Sequence, residues 1–336
     1  MPSILFKPLP CFAAGFLLAG LAWAGALAYV RNKPVPNAIF TQSIVEPKLK
    51  AADTAPADSP TLYLTGGSNV LFGIDSVQFT ASSELNSVNF GCAAGMGPEL
   101  ILYLLKPRLK RGDIVAMFWE YGHYTFTRSG EVNLTYLNLV FGPQSDFRHT
   151  LPFLDRARLA LSLPGSHLRD ATFLALNPYA NSEIYRCAWD IDALGNARIN
   201  EGRKVSREKL LEQPNELLLR PLNITSDSRT IFTDFIHDCR ENGIAVIASW
   251  PNLHFHPNYA ENPIVSANLA RIKAFWNDLE VPVAGEWKEA CFEARHAYDT
   301  PYHPNAKGRA LRTSRLVETL TPLLSDPGAF AVPPVP

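Results

Sequence analysis

The sequence predicts an α/β fold with three layers, in which a mostly parallel sheet lies between helices. The segment 114–119 is apolar without alternation, which is typical of a strand buried on both faces of a parallel sheet. Such segments alternate along the chain with segments whose apolar residues have helical spacing, as in 229–242. Strands that alternate with helices in this way form a sheet with helices on both faces.

The N-terminus differs in composition from the rest of the chain. Residues 10–30 carry no charge, and a run of this length just crosses a bilayer as a helix. Basic residues flank the run on both sides, so the positive-inside rule does not orient it. Residues 26–28 also resemble a signal-peptidase site. The alternatives are an uncleaved anchor over 1–33, which the length of the run favours, and a cleaved signal peptide. Both predict an exported domain.

The remaining chain divides by composition. Residues 34–59 are rich in Pro, Ala, Asp and Lys and are predicted to link the membrane to the domain. The domain is predicted over 60–325, and 326–336 form a tail. Within the domain, the strand and helix pattern is lost over about 122–226, which predicts an insertion that covers or flanks the site. Two segments of this insertion are predicted to be helical: 153–163 and 207–211.

The α/β pattern assigns the remaining elements. The predicted strands are 62–64, 88–91, 114–119, 244–249 and 281–284, and the predicted helices are 76–83, 95–105, 229–242, 268–279 and 304–324. Ligands bind beyond the C-terminal ends of parallel strands. Ser68, Gly91, Glu120 and Trp250 fall at such ends. We therefore expect the site there, with Glu120, Trp250 and Asn252 among its lining residues.

Charge and cysteine content exclude some classes of protein. The formal net charge of −1 argues against a nucleic-acid partner held by bulk electrostatics. Of five cysteines, Cys11 lies in the apolar run. The other four are Cys92, Cys187, Cys239 and Cys291. In an exported domain they permit up to two disulfides, whose pairing the sequence does not specify, and their spacing fits no zinc motif.

A serine near the start of the domain is a candidate nucleophile. The stretch 61–76 is predicted to form a strand, a tight turn at Gly66 and Gly67, and the start of a helix. Ser68 would then lie at the sheet edge near a helix N-terminus, where N–H groups and the helix dipole stabilise an oxyanion. These are the requirements for an activated nucleophile. The alternative is that Ser68 only caps the helix.

A histidine and an aspartate near the other end complete a candidate triad. A serine nucleophile needs a base, and the base needs a carboxylate to orient it. Asp299 and His303 lie on one short loop before the last predicted helix. Asp299 would reach one imidazole nitrogen while the other faces Ser68. For Asp299, the alternative is an Asx turn that closes the loop.

The pair His254 and His256 is a weaker candidate. Period-two spacing could place both rings on one strand face as metal ligands. With no third ligand in the sequence, a polar loop that lines the cleft is the better interpretation. We therefore expect no metal and no cofactor.

Short blocks of this sequence resemble the SGNH (GDSL-type) hydrolase superfamily. Gly67 and Ser68 match its nucleophile block, residues 89–91 its glycine block, and Asp299 with residues 303–308 its last block. The blocks occur in the family's order, each at a predicted strand end. Together they cover roughly residues 60–120 and 230–320, and the insertion between them matches no family block.

The resemblance implies a fold and a set of roles. The fold would be the flavodoxin-like SGNH fold. Ser68 would be the nucleophile, His303 the base and Asp299 its partner. The oxyanion hole would take the backbone N–H groups of Ser68 and Gly91. The chain looks most like the membrane-anchored envelope branch, which includes the D-alanyl transfer protein of teichoic acids and alginate O-acetyltransferase-like proteins.

Two departures from the family pattern bear on these roles. One more residue than usual separates Asp299 from His303. The family's third oxyanion donor is an asparagine side chain after the third strand, where this chain has Glu120 and Tyr121. An ionised Glu120 would repel an oxyanion. Either Tyr121 donates, Asn69 helps, or Glu120 is protonated or turned away.

The sequence leaves three functions open. The first is a membrane-anchored acyl esterase or acyltransferase that acts on an envelope glycan or other acylated polymer, together with a membrane acyl-donor protein. The second is a non-catalytic assembly partner that keeps the fold, which the missing asparagine motivates. The third is a secreted lipase-type esterase, released after signal cleavage.

Overall fold

The computed structural model describes residues 8–30, 33, 35–83, 85–128, 132–177, 190–200, 209, 212 and 214–324. The chain divides into two compact units. The first unit comprises Met1–Gln42 and Leu134–Cys187, and the second comprises Ser43–Asn133 and Ala188–Pro336. All of the candidate site residues belong to the second unit.

A parallel sheet of five strands forms the second unit, which confirms the α/β class. The strands are β1 (Thr61–Gly66), β2 (Asn86–Gly91), β3 (Ile114–Phe118), β4 (Ala245–Ser249), β5 (Leu253–His254), β6 (Val283–Ala284) and β7 (Cys291–Phe292). The sheet order is β2-β1-β3-β4-β6, while β5 and β7 form a separate parallel pair. Because β1 pairs with both β2 and β3, Gly66 lies opposite Gly91 and Phe118. The strand order reverses here, which is where open parallel sheets bind ligands.

Helices surround this sheet. In the second unit they are α3 (Ser68–Gly73), α4 (Ser76–Ser83), α5 (Gly97–Leu105), α6 (Tyr121–Tyr124), α10 (Ser226–Glu241), α11 (Pro263–Asp278) and α12 (Ala306–Leu324). Leu62, Leu64 and Ile247 pack in one buried cluster with residues of α3, α4 and α12. Tyr63 and Val115 alternate with that set and are also buried. Burial on both faces is consistent with three layers and explains why the strands read as continuous apolar runs.

Two helices begin earlier than the apolar spacing predicted. Helix α10 begins at Ser226 because the Thr225 hydroxyl accepts the Ser228 N–H. Helix α11 begins at Pro263 because the Asn262 side chain caps it. Both are ordinary helix starts, with a polar cap and, in α11, proline in the first turn. The other strands and helices of the sheet lie within a few residues of their predicted positions.

Part of the predicted linker is a helix instead. Helix α2 (Pro36–Asp53) starts in the first unit and continues into the second. In the second unit Val45 and Lys48 are buried. The Lys48 ammonium donates to Asn89 Oδ1 at 2.9 Å, to the Asn89 carbonyl at 3.0 Å, and to the Gly195 carbonyl. Burial lowers the pKa of Lys48 to about 7. These contacts join α2 to the sheet, so this segment is part of the domain.

The first unit contains most of the described insertion. Its other helices are α1 (Pro8–Val30), α7 (Leu134–Val140), α8 (Phe153–Leu161) and α9 (Gly165–Leu176). Helix α9 contacts α1. The side chain of Asn138 joins α7 to α9 through His167 Nδ1 at 2.7 Å. Of the predicted helix at 207–211, only residue 209 is among the described residues, and the predicted tail at 326–336 lies outside them.

The structure bears on two expectations about the exported chain: a membrane-spanning helix and disulfide bonds. Within the described residues, no helix combines the length and apolarity that are needed to cross a bilayer. The four described cysteines, Cys11, Cys92, Cys239 and Cys291, are unpaired. Cys187 lies outside the described residues. The structure therefore contains no disulfide among the cysteines that it describes.

Candidate active site

The turn between β1 and α3 places Ser68 at the C-terminal edge of the sheet. Gly67 has φ −80° and ψ −153°, so its glycine is not required for a positive φ. A Cβ on Gly67 would instead lie 2.6 Å from Glu120 Oε1 and 2.8 Å from His123 Cε1. Glycine is therefore needed because two side chains approach the backbone closely. Close contacts with Glu120 and His123 therefore explain the glycine at position 67. The sequence also predicted that glycine would be needed here for a positive φ, which Gly67 does not adopt.

Ser68 does not cap the helix that it begins. The residue in the N-cap position of α3 is Gly67, and no side chain caps the helix. The half-buried Ser68 hydroxyl instead donates to Glu120 Oε1 at 3.1 Å. The alternative that Ser68 is only an N-cap is therefore wrong. Its hydroxyl lies at the sheet edge, as a nucleophile requires.

Glu120 is the centre of the hydrogen bonds around Ser68. It precedes α6 at the end of β3, and its side chain does not cap that helix. The same oxygen, Oε1, accepts from the Ser68 hydroxyl and from the Asn69 N–H, the latter at 2.9 Å. Only 7% of Glu120 is exposed. A buried carboxylate therefore accepts hydrogen bonds from the hydroxyl of the candidate nucleophile and from the backbone N–H of the next residue.

His123 adjoins this carboxylate and was not among the predicted site residues. Its Nε2 lies 3.1 Å from the Ala94 carbonyl, so Nε2 carries the proton. Within the described residues its buried Nδ1 has no hydrogen-bond partner. Burial lowers the pKa of His123, against the opposing effect of Glu120. A neutral imidazole therefore lies beside the Glu120 carboxylate. Its place just after the β3 end was the available sequence signal.

Asp299 and His303 form the predicted pair. His303 Nδ1 lies 2.6 Å from Asp299 Oδ1. The loop accommodates the extra residue because it closes as a tight turn, with the Tyr298 N–H donating to the His303 carbonyl at 2.8 Å. Since Asp299 occupies Nδ1, the tautomer it favours leaves Nε2 free to accept a proton. This is the arrangement that a base needs.

The imidazole of His303 packs against α3. Its ring centroid lies 4.3 Å from that of Phe72. Phe72 is one helical turn after Ser68 on the same short helix. The structure thus brings the Asp299–His303 pair to the helix that Ser68 begins. In this state, however, the Ser68 hydroxyl donates to Glu120 and not to His303.

Two of the predicted oxyanion donors are already engaged. The Gly91 N–H donates to Asn89 Oδ1 at 2.9 Å. A Cβ on Gly91 would lie 2.2 Å from the Leu71 nitrogen, so this glycine permits close packing of β2 against α3. The Asn69 side chain donates to the Phe118 carbonyl at 2.9 Å. In this state the Gly91 N–H is therefore engaged, and so is one of the two N–H groups of the Asn69 side chain.

Tyr121 is buried beside a second tyrosine. Its N–H donates to the Tyr302 hydroxyl at 3.4 Å, and the ring centroids lie 6.3 Å apart. Burial raises the pKa of both phenols well above the usual value, so both remain protonated. Tyr121 therefore keeps a phenolic proton to donate. Of the backbone donors predicted, the Ser68 N–H remains.

The predicted lining residues Trp250 and Asn252 brace the fold behind Ser68. The Asn252 side chain donates to the Asn69 carbonyl at 2.7 Å and accepts from Arg312 Nε at 2.9 Å. The indole of Trp250 donates to the Gly285 carbonyl at 2.9 Å. Both side chains are buried. Asn252 therefore joins α3 to α12, while the Trp250 indole is held by the segment after β6.

The histidine pair lies in and just after β5. The rings of His254 and His256 have centroids 6.5 Å apart. Among the described residues, no group of three or more His, Cys, Asp or Glu side chains is arranged to hold a metal ion. His256 Nδ1 accepts the Asn258 N–H at 3.1 Å, which caps a short turn. This contact agrees with the interpretation as a polar loop.

No protein-family model matches the chain, and no curated protein matches it. The site is therefore interpreted from its own residues.

Proposed function

We propose that the protein is a serine acyl esterase or acyltransferase that works through an acyl-Ser68 intermediate. The observation that supports this most directly is the Asp299–His303 pair at 2.6 Å, packed against Phe72 on the helix that Ser68 begins. A serine at a strand end and a histidine oriented by a carboxylate are the components of serine acyl transfer.

The proposed reaction has two steps. Ser68 Oγ attacks the carbonyl carbon of an ester while His303 Nε2 takes the hydroxyl proton. The ester C–O bond then breaks, and the leaving alcohol receives that proton from His303. In the second step His303 Nε2 takes a proton from water or a sugar hydroxyl, whose oxygen attacks the acyl carbon. The bond from that carbon to Ser68 Oγ breaks, Oγ receives the proton, and the free acid or the acylated sugar is released. Asp299 keeps the imidazole in the required tautomer and stabilises its cationic form.

The chemistry requires a change at Glu120. Ser68 must turn its hydroxyl from Glu120 Oε1 toward His303 before it attacks. We propose that entry of the substrate triggers this change. We assign the Ser68 N–H and the Tyr121 phenol as donors to the developing oxyanion, because the Gly91 N–H and one side-chain N–H of Asn69 are already engaged.

The strand order supports the finer fold assignment within the proposal. Numbered along the chain, the five strands of the sheet follow the order 2-1-3-4-5, the doubly wound order of flavodoxin-like folds. Ser68, Glu120 and the β2 end lie at its switch point. We propose an SGNH-type hydrolase on this basis, with an ester of an envelope polysaccharide as substrate and a membrane acyl-donor protein as partner.

Covalent labelling tests the proposal. We expect a fluorophosphonate probe to label the wild-type protein and not Ser68→Ala, because phosphonylation needs an activated serine oxygen. Labelled protein would be detected by in-gel fluorescence, and the melting temperatures should be similar, since the hydroxyl is only half-buried. A matched control is Ser314→Ala, whose hydroxyl makes surface contacts on α12. Equal labelling of Ser68→Ala and wild type would remove Ser68 from the role.

A non-catalytic assembly partner is the second candidate. The observation that favours it is the engagement of the Ser68 hydroxyl and the Asn69 N–H by one buried carboxylate. Under this alternative Glu120 permanently closes the site. The wild-type protein would then show no labelling by the probe and no turnover of an aryl acetate.

We also propose that the C-terminal domain lies outside the cytoplasm, held by the N-terminal segment. The support is the uncharged run over residues 10–30, of which Phe12, Phe16 and Leu18 are exposed. We expect a C-terminal alkaline phosphatase fusion to be active and to fractionate with membranes. Activity of a C-terminal reporter in the cytoplasm alone would contradict this topology, and a soluble, shortened product would indicate the secreted esterase.

A further inference from the structure

A second site in this unit lies between α12 and the segment that contains β7. It is a pocket of about 200 Å³ that includes residues of both elements. Three arginines, one histidine, two glutamates and one cysteine supply its ionisable groups: Arg295, Arg312, Arg315, His296, Glu289, Glu293 and Cys291. The proposed acyl-transfer reaction uses none of these side chains.

Arg312 is the unusual member of this set. Only 6% of the residue is exposed. Its Nε donates to Asn252 Oδ1 at 2.9 Å, and its Nη2 donates to the Trp250 carbonyl at 3.1 Å. In the described part of the chain it contacts no carboxylate. A buried guanidinium without a counterion is costly, because burial removes its hydration.

The acidic residues of the pocket do not neutralise this charge by contact. Glu289 Oε2 accepts the Glu286 N–H at 3.0 Å, which caps a short helical turn. Glu293 pairs with Arg295, with Oε2 and Nε 3.0 Å apart. Both carboxylates therefore have partners other than Arg312.

A second arginine lies one turn from Arg312 on the same helix. Arg315 Nη1 lies 3.3 Å from the Glu289 carbonyl and 3.4 Å from the Cys291 carbonyl, and it has no carboxylate partner among the described residues. Burial lowers the pKa of Arg312 to about 10; Cys291 and Glu289 oppose this effect, and Arg315 adds to it. Burial and Arg295 also lower the pKa of His296, against the opposing effect of Glu293. Two arginines that contact no carboxylate among the described residues therefore share this pocket.

We propose that this pocket binds a small oxyanion, a phosphate or a carboxylate, between Arg312 and Arg315. Guanidinium groups present forked N–H donors that match both anions, and a bound anion supplies the counterion that Arg312 lacks. The volume is sufficient, because about 200 Å³ is several times the roughly 30 Å³ that one water occupies in the liquid.

The position of the pocket connects it to the candidate active site. Arg312 holds Asn252, and Asn252 holds the Asn69 carbonyl beside Ser68. An anion on Arg312 would thus lie two hydrogen-bonded side chains away from the β1–α3 turn. The proposal does not depend on acyl transfer, because binding at the pocket is measured without any reaction at Ser68.

Isothermal titration calorimetry of the full chain tests this site. Sodium phosphate and sodium acetate are titrated separately at constant ionic strength, with chloride as the background anion. We expect saturable binding with one site for at least one of the two anions. The anion that binds more tightly identifies the ligand as a tetrahedral oxyanion or a carboxylate.

Two variants and a matched control show whether the anion binds at these arginines. We expect Arg315→Gln to weaken binding about tenfold or more, which is the typical effect of losing one charge-assisted hydrogen bond. Arg312→Gln should abolish binding if it folds, and Arg315→Gln decides the matter if it does not. Arg220→Gln, which removes an exposed arginine paired with Glu216, should bind as wild type does. Absence of saturable binding, or equal binding by Arg315→Gln, would overturn the proposal.

Discussion

Replacement of His303 by alanine is expected to lower turnover of an aryl acetate as severely as Ser68→Ala, by roughly 10⁴-fold or more. A serine without its base remains a weak nucleophile, and members of a triad act as a unit, so their losses do not add. The double variant should therefore be no slower than either single variant. Turnover would be measured by release of the aryl alcohol at saturating substrate.

Asp299→Asn should have a smaller effect than His303→Ala, because the serine and base remain and the loss of a triad's aspartate alone costs less than the loss of its histidine. The His303 ring is also held by Phe72, and its carbonyl is held by the Tyr298 N–H. These contacts keep the imidazole in place when the carboxylate is lost. His237→Ala is the matched control, since that histidine is exposed on α10. If His303→Ala retained wild-type turnover, the Asp299–His303 pair would be structural and the hydrolase proposal would fail.

Glu120→Gln is expected to raise turnover of the same ester about tenfold. The glutamine keeps an oxygen that can accept from the Ser68 hydroxyl and the Asn69 N–H, so the turn should keep its geometry. It removes the negative charge that would oppose an oxyanion. A charge about 4 Å away contributes about 4 kcal/mol at an effective dielectric constant of 20, and screening reduces that figure. A tenfold change in turnover corresponds to about 1.4 kcal/mol, which is smaller than this unscreened interaction energy.

The comparison needs both kinetic parameters and a control. We expect the tenfold increase to appear in kcat and not in KM, because the repulsion between the Glu120 charge and the oxyanion develops mainly in the transition state. Glu216→Gln, an exposed surface variant, should leave kcat unchanged. A loss of turnover in Glu120→Gln as large as in Ser68→Ala would assign Glu120 an essential catalytic role instead. In that case the carboxylate, and not His303, would be the first candidate for the base.

The arrangement of Glu120 separates this site from the pattern that the family resemblance implies. An asparagine at this position would donate to an oxyanion, whereas the Glu120 carboxylate accepts hydrogen bonds from the Ser68 hydroxyl and the Asn69 N–H. One consequence follows for the proposed enzyme: the substrate must displace the hydrogen bond between the Ser68 hydroxyl and Glu120 before the serine reacts. We expect this step to slow the turnover of small esters.

The order of strands and helices was determined by the sequence alone. Period and length carry that information locally: the 114–119 run has the composition of a buried strand, and β3 occupies Ile114–Phe118. The contact between Asp299 and His303 was also predictable, because both residues lie on one short loop whose reach is limited. Residue type at the strand ends likewise located Ser68 and Glu120 at one edge of the sheet.

Tertiary structure decided which hydrogen bonds those residues make. Sequence spacing does not show that the Gly91 N–H donates to the Asn89 side chain or that the Asn69 side chain donates to the Phe118 carbonyl. Both contacts depend on how β2, β3 and α3 pack. Helix α2 was missed for a similar reason. Its buried Lys48 finds oxygen acceptors on β2 and near Gly195, far away in the chain. Local propensity cannot signal a helix whose stability comes from such distant partners, since tertiary packing supplies most helical stability.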